Sequence, residues 1–281
     1  MATTVLQQGR VSVFDHRCSF GPDDKPFTEV HDGFSLAYVR RGSFACEALG
    51  RSYDLVAGSL LIGRPGDEYI CSHDHHDCGD ECLHFQFAPE LANAISDNVA
   101  VWQAAAMPPL PEVMVAGELA QAVADDRSDL GLDEAGLLLA SRFAETVTGQ
   151  KKKSVNLRSY DRRRVAETAL WIDAYSHRPI DLESAADKAD LSSFHFLRLF
   201  TKVLGVSPHQ YLVRSRLRHA ARLLADDERA ITDVAFDVGF GDLSNFVRTF
   251  RRAAGVSPRA FRRMAKGDRA MVREQLSAAL S

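Results

Sequence analysis

Cysteine is absent beyond residue 82: all five, Cys18, Cys46, Cys71, Cys78 and Cys82, lie in the first stretch of the chain. That excludes a disulfide framework spread over the whole sequence, and in a reducing compartment such a cluster points to metal binding or redox chemistry. No apolar run approaches the ~18 residues of a membrane-spanning helix, so no membrane partner is expected. No N-terminal stretch combines a basic flank, an apolar run and a small-residue cleavage site, and the expected location is the cytoplasm. A large excess of one charge is missing too: 34 Lys+Arg stand against 38 Asp+Glu, a net of -4 over 281 residues. With 46% apolar and 26% charged residues, a collagenous, low-complexity or wholly disordered chain is excluded.

The near-neutral total conceals a division. Residues 1–150 carry 9 Lys+Arg against 23 Asp+Glu, a net of -14, whereas residues 151–281 carry 25 against 15, a net of +10. Opposite signs in two halves indicate two domains, one of them facing a polyanion.

The acidic half begins as short strands between turns. Phe34–Val39 reads as a strand stopped by Arg41-Gly42-Ser43, Ser59–Ile62 as a second, and Leu83–Phe87, with period-2 alternation, as a third. The spacing of Gly42, Gly58 and Pro65-Gly66-Asp67 resembles a cupin-like jelly roll. From Pro89 to Gly149 the texture turns Ala/Leu-rich. Leu132, Ala135, Leu139, Phe143 and Val147 fall on one helical stripe, which suits packing on the β domain or pairing with a second copy. Gly149–Asp161, with Lys151-Lys152-Lys153, is a linker candidate.

The basic half contains an internal repeat at an offset of 50 residues. Arg198-Leu199-Phe200, Gly205-Val206-Ser207-Pro208 and Tyr211 recur as Arg248-Thr249-Phe250, Gly255-Val256-Ser257-Pro258 and Phe261, while Ala185 maps to Ala235 and Phe196 to Phe246. Each glycine ends a helix where a left-handed residue is easiest, and each Ser-Pro caps and starts the next. The Phe pairs at i,i+4 mark a buried stripe. A short helix carrying Ala185 or Ala235 precedes each unit, so the helix-turn-helix occurs twice, at about 181–205 and 231–255.

The segment from about Val165 to Met264 resembles the DNA-binding domain of the AraC/XylS family of transcriptional regulators, with Gly239-Phe240, Asp242 and Asn245-Phe246 carrying much of the likeness. The resemblance implies an all-helical, bi-lobed domain reading two successive major-groove segments. The joining helix, about Ser207–Ala225, spans ~28 Å, comparable to the ~34 Å recurrence of grooves on one DNA face. With the Phe pairs inward, Ser193, Phe194, Leu197 and Arg198 face DNA in the first lobe, and Leu243, Ser244, Val247 and Arg248 in the second. The two arginines suit either guanine edges or phosphates. His195, Lys202, Arg251 and Arg252 suit phosphates. Arg216, Arg218 and Arg222, on the connecting helix, suit internal ion pairs with its acidic neighbours.

One cluster stands outside this scheme. Cys71, His73, His75, His76, Cys78 and Cys82 fall within twelve residues, with His84 just beyond and Cys18, His16 and His31 upstream. Thiolate and imidazole together suit zinc or another transition metal. A solvated loop, a structural metal and a sensory or redox site all remain open, and Cys46 reads as core. His73-Asp74-His75 followed by Glu81 is a loose match to a metal-dependent cupin enzyme.

The expected architecture is therefore a two-domain α+β chain. A cupin-like β-barrel or jelly roll with packed helices occupies 1–150 as sensor and dimerisation domain, 151–164 is a linker, and 165–281 is an all-α double helix-turn-helix domain. The expected function is sequence-specific, effector-responsive regulation of transcription at promoter DNA, without catalysis. The expected partners are a second copy, RNA polymerase if the chain activates, and a small-molecule, metal or redox effector. A fused metal-dependent cupin-type enzyme and a purely architectural DNA-binding protein are the alternatives.

Overall fold

The structure, a computed structural model, describes residues 1–73, 79–96, 99–128, 130–147, 158–226 and 228–268. Its strands are β1 (Ala2–Gln7), β2 (Val11–Cys18), β3 (Phe27–Val30), β4 (Phe34–Ala48), β5 (Arg51–Val56), β6 (Leu60–Gly63), β7 (Glu68–Ser72), β8 (Asp80–Phe87) and β9 (Ala106–Met107). The helices of the acidic half are α1 (Pro89–Ile95), α2 (Pro111–Ala124) and α3 (Leu132–Val147). Among the described residues the regular elements of the basic half are helices: α4 (Ser159–Ala174), α5 (Leu182–Lys188), α6 (Ser193–Leu204), α7 (Pro208–Asp226), α8 (Ile231–Asp237), α9 (Leu243–Ala254) and α10 (Pro258–Ala265).

The strand expected to stop at Arg41-Gly42-Ser43 instead continues. β4 serves two ladders: Phe34–Gly42 pairs with β6 and β8, and Ser43–Ala48 pairs with β5 and β7. Two features let one strand turn between them. A bulge between Val39 and Arg41 takes Arg40 out of register, and bulges bend strands and re-aim the bulged residue. Gly42, at φ 75°, follows, and a Cβ there would stand 2.0 Å from the Gly79 carbonyl. Only glycine allows that approach.

Pairing runs β1-β2-β8-β4-β6-β9, and among the described residues β1 and β9 do not pair, so the sheet expected as a cupin-like β-barrel or jelly roll is not closed. Period-2 alternation in β2 sends Val11 and Val13 inward beside Leu36, Tyr38 and Phe85. The helix expected over Leu132–Val147 forms over those residues, and its Ala135, Leu139 and Phe143 are buried within the core of the chain. That stripe therefore serves intramolecular packing.

Helix α2 starts at Pro111 and is buried on nearly every side from Val113 to Val123. A helix apolar all round belongs in an interior, and α2 occupies one, touching α3, β4, α7, α9 and α10. Consequently a single apolar cluster extends from the sheet through α2 and α3 into α7, α8, α9 and α10. The first helical lobe keeps a second cluster, built on Val165, Phe196, Phe200 and Tyr211, which Val56 of β5 joins.

Several histidines are held neutral inside this frame. His16 Nε2 lies 3.0 Å from His84 Nδ1 across the β2–β8 ladder. Burial, then the neighbouring His16, lowers His84 to about 3, and burial also lowers His16, His31 and His219. A lowered folded-state value means that the unfolded chain binds more protons below pH 6.5. Stability is thus fully present above that pH and falls as pH descends toward 3. His84, lowered to about 3, removes up to ~1.4 kcal/mol per pH unit in this window, and the other three act in the same direction. The thermal midpoint should fall steadily between pH 7 and pH 5; a flat profile there would contradict the neutral, buried assignment.

Candidate nucleic-acid interface

The two helix-turn-helix units are built by capping. Asp181 accepts from the Ser184 amide at 2.8 Å and begins α5; Ser192 and Asp242 accept from the amides of His195 and Asn245 and begin α6 and α9. Gly205 (φ 70°) and Gly255 (φ 74°) end α6 and α9 in the left-handed region. Ser207 and Ser257 each accept at 3.2 Å from the amide three residues on, and α7 and α10 start at the following prolines. These are the caps that the repeat predicts.

Phe196, Phe200, Phe246 and Phe250 are fully buried, which turns the opposite faces of α6 and α9 outward. On α6, His195, Leu197, Arg198 and Lys202 are exposed and Ser193 is half-buried; the Phe194 side chain lies outside the described part. On α9, Ser244, Arg248, Arg251 and Arg252 are exposed, while Leu243 and Val247 are half-buried. A shallow concavity of about 750 Å³ gathers Leu243, Ser244, Val247, Arg248, Arg251 and Arg252 on one surface. Arg248 Nη2 donates to Asn245 Oδ1 at 3.1 Å, one turn earlier, which steadies the guanidinium on that face. Three arginines beside two half-buried aliphatic side chains match the requirements of a groove reader. Guanidinium groups meet phosphates and guanine edges, and apolar groups meet thymine methyls.

Between the lobes runs α7, nineteen residues long. Arg218 and Arg222 form the internal ion pairs expected of them, with acids on neighbouring helices, whereas Arg216 meets backbone carbonyls instead. Arg218, 1% exposed, donates to the Arg40 carbonyl at 3.0 Å and to Asp173 of α4, and stands 3.7 Å from Glu118 of α2. Arg222 donates to Glu118 Oε2, and to Glu118 Oε1 at 3.2 Å. Arg216 donates to the carbonyls of Ser176 and Arg178 at 2.8 and 2.9 Å. Tyr38 of β4 donates to Glu118 at 2.7 Å, and burial followed by the Glu118 charge raises its phenol well above the usual value. Burial works against the Arg218 charge, yet Asp173 and Glu118 outweigh it and hold its pKa above the ordinary arginine value. The partners come from β4, α2, α4 and the turn after α4 because α7 is sandwiched, and the bulge at Arg40 frees its carbonyl to face α7.

Of the six residues in the Cys/His motif, His75, His76 and Cys78 lie outside the described residues. Cys71 and Cys82 are buried. His73, also buried, has Nε2 2.9 Å from Asp80 Oδ1, and the Cys82 thiol donates to Asp80 Oδ2 at 3.3 Å. Among the described residues, the group brought together is Cys18, His73 and Asp80. Asp80 was missed by a reading confined to cysteine and histidine. Cys46 is wholly buried, and burial pushes its thiol up to about 12, as suits a core position.

Arg198→Ala and Arg248→Ala should each weaken binding to a selected DNA site by ~1–3 kcal/mol. Fluorescence anisotropy against matched and scrambled duplexes separates the roles. Guanine contacts relax sequence preference, whereas phosphate contacts lower both affinities alike and reduce the salt slope. An unchanged affinity and footprint in both variants would remove α6 and α9 from the interface.

Residues 185–264 match the profile of a family described as helix-turn-helix domain. The probable transcriptional regulator LumQ of Photobacterium leiognathi is 30% identical over 126 residues, 43% of this chain and 50% of LumQ, so the chain spans about half that relative. The HTH-type transcriptional activator RhaS of Shigella dysenteriae serotype 1 (strain Sd197) is 26% identical over 247 residues, 83% of this chain and 86% of RhaS. Among solved structures, a probable AraC family transcriptional regulator from Rhodopseudomonas palustris CGA009 is 30% identical, covering 37% of this chain and 97% of that one, with a TM-score of 0.35. The doubled helix-turn-helix with its matched caps, the profile over residues 185–264 and regulators as relatives make this C-terminal part a helix-turn-helix DNA-binding domain of the AraC/XylS type.

Proposed function

We propose that the chain binds promoter DNA sequence-specifically and that its N-terminal region sets that binding in response to an effector. The observation that carries this reading is the buried charge network in which Glu118, Tyr38 and the Arg40 carbonyl of the acidic half hold Arg218 and Arg222 of the helix between the two DNA-reading lobes. A shift in the sheet at Arg40, or in α2 at Glu118, moves α7 and with it the spacing of α6 and α9. An effector acts through such a coupling by binding one domain arrangement better than the other.

The open sheet, with β4 shared between two ladders, supports a cupin-like jelly roll as the sensor. The likeness to RhaS, a transcriptional activator, supports activation, with RNA polymerase as a partner. Dimerisation, if it occurs, uses a surface other than the stripe of α3 that the chain's own core already covers. The fused-enzyme reading gains nothing from the geometry, because Glu81, the carboxylate of that pattern, faces Arg40 at 3.3 Å.

Glu118→Gln removes the charge while keeping the shape and the acceptor for Tyr38. With a DNA site selected by the purified full chain from a random library, this variant should change affinity by about fivefold or more. Circular dichroism checks that the fold persists. A well-folded Glu118→Gln protein with unaltered DNA affinity would sink the coupling.

A further inference from the structure

We propose that Cys18, His73 and Asp80 form a transition-metal site of the zinc class and that this site is the input through which the N-terminal region is regulated. The second part rests on the regulator reading above; the first stands without it.

The site is assembled by strand pairing. Cys18 ends β2 and lies directly opposite Asp80, which begins β8. His73 follows β7 immediately. Gly79 (φ 63°) itself lies against Cys18, where a Cβ would stand 2.1 Å from the Cys18 carbonyl. One donor atom from each of the three side chains falls within 4.8 Å of the other two. Tetrahedral zinc, with bonds of about 2.0–2.3 Å, needs donors roughly 3.3–3.8 Å apart, so small rotations close the set. Cys82, whose thiol donates to the other Asp80 oxygen at 3.3 Å, holds that carboxylate from behind.

The chemistry of the donors selects the ion. A thiolate, an imidazole and one carboxylate suit zinc or a neighbouring soft divalent ion and offer too few oxygens for calcium or magnesium. The surroundings are those of a metal centre. His73 is 2% exposed and Asp80 8%. Phe20 and Phe44 flank the imidazole at ring-centroid distances of 6.0 and 6.3 Å, forming an apolar shell that fixes its orientation. Cys18, half-buried, supplies the approach.

Location ties the site to α7. Cys18, Gly79 and Asp80 line a cavity of about 1060 Å³ between the two halves, and Arg40, Arg218 and Arg222 line the same cavity. Glu81, next in sequence to Asp80, stands 3.3 Å from Arg40, whose carbonyl accepts from Arg218. Drawing Asp80 onto a metal ion displaces the start of β8 and hence the Glu81–Arg40 contact, through a contiguous set of bonded groups.

The test uses the full chain, reduced and stripped with a chelator, then titrated with cobalt(II) and zinc(II). One equivalent of cobalt should bind with Kd below ~1 μM and give a near-ultraviolet thiolate-to-cobalt band with tetrahedral d–d intensity. Cys18→Ser should abolish the charge-transfer band, and Asp80→Asn and His73→Gln should each weaken binding by tenfold or more; Cys71→Ser should bind as the parent does. Cys18, half-buried at a strand end, carries the test should the buried His73→Gln chain fail to fold. Absence of binding, or binding unaltered by Cys18→Ser and Asp80→Asn, overturns the site. DNA affinity of the parent chain should differ by about fivefold or more with zinc against chelator. Intact metal binding with equal DNA affinities overturns the regulatory role and leaves the site standing, whereas failure of DNA binding under both conditions counts against the regulator reading itself.

Discussion

Glu118 is a carboxylate with no exposed surface, set in a helix that is otherwise almost entirely apolar. A lone buried charge costs several kcal/mol unless it is paired and hydrogen-bonded. Here Tyr38, Arg218 and Arg222 converge on it from the sheet and from α7. The partners are equally dependent, because Arg218 is as deeply buried as the acid it faces. Separating the halves would therefore strand charges on both sides. That makes the relative placement of sheet, α2 and α7 a property the molecule must keep or exchange as a unit.

The remaining architecture follows from keeping this junction. Arg40 sits at the bulge of β4, pairs with Asp15 and Glu81 inside the sheet, and presents its carbonyl to Arg218 and Arg222. Around this polar centre the second helix-turn-helix lobe shares one apolar core with the acidic half, whereas the first lobe has its own core and touches the sheet through Val56. Polar ties repeat the pattern at the edges. Arg162 meets Asp54 at 2.7 Å, Arg214 donates to the Pro109 carbonyl at 2.6 Å, and Arg127 meets Asp226 at 2.6 Å. The charge division that the sequence displays, -14 against +10, is thus partly spent between the halves, leaving the arginines of α9 outward.

Local signals in the sequence carried the helical half well. The Gly-Val-Ser-Pro repeats, the i,i+4 phenylalanines and the stripe from Leu132 to Val147 all encode short-range geometry, and all appear in place. What escaped depends on pairings distant in the chain. β4 passes through Gly42 because of the approach of Gly79, and Cys18 meets Asp80 only through the β2–β8 ladder. Arg214, Arg218 and Arg222 repeat at i,i+4 along one face of α7, and Glu118 interrupts an apolar run. A charge in an apolar stripe is a readable sign of a buried partner, although nothing local names that partner.

If the junction is the constraint that organises the chain, the two halves cannot melt apart. Differential scanning calorimetry of the full chain at neutral pH measures this directly, comparing calorimetric with van't Hoff enthalpy. A single transition with the two enthalpies equal is the predicted result. Two resolved transitions, one belonging to residues 1–147 and one to the helical half, would contradict it.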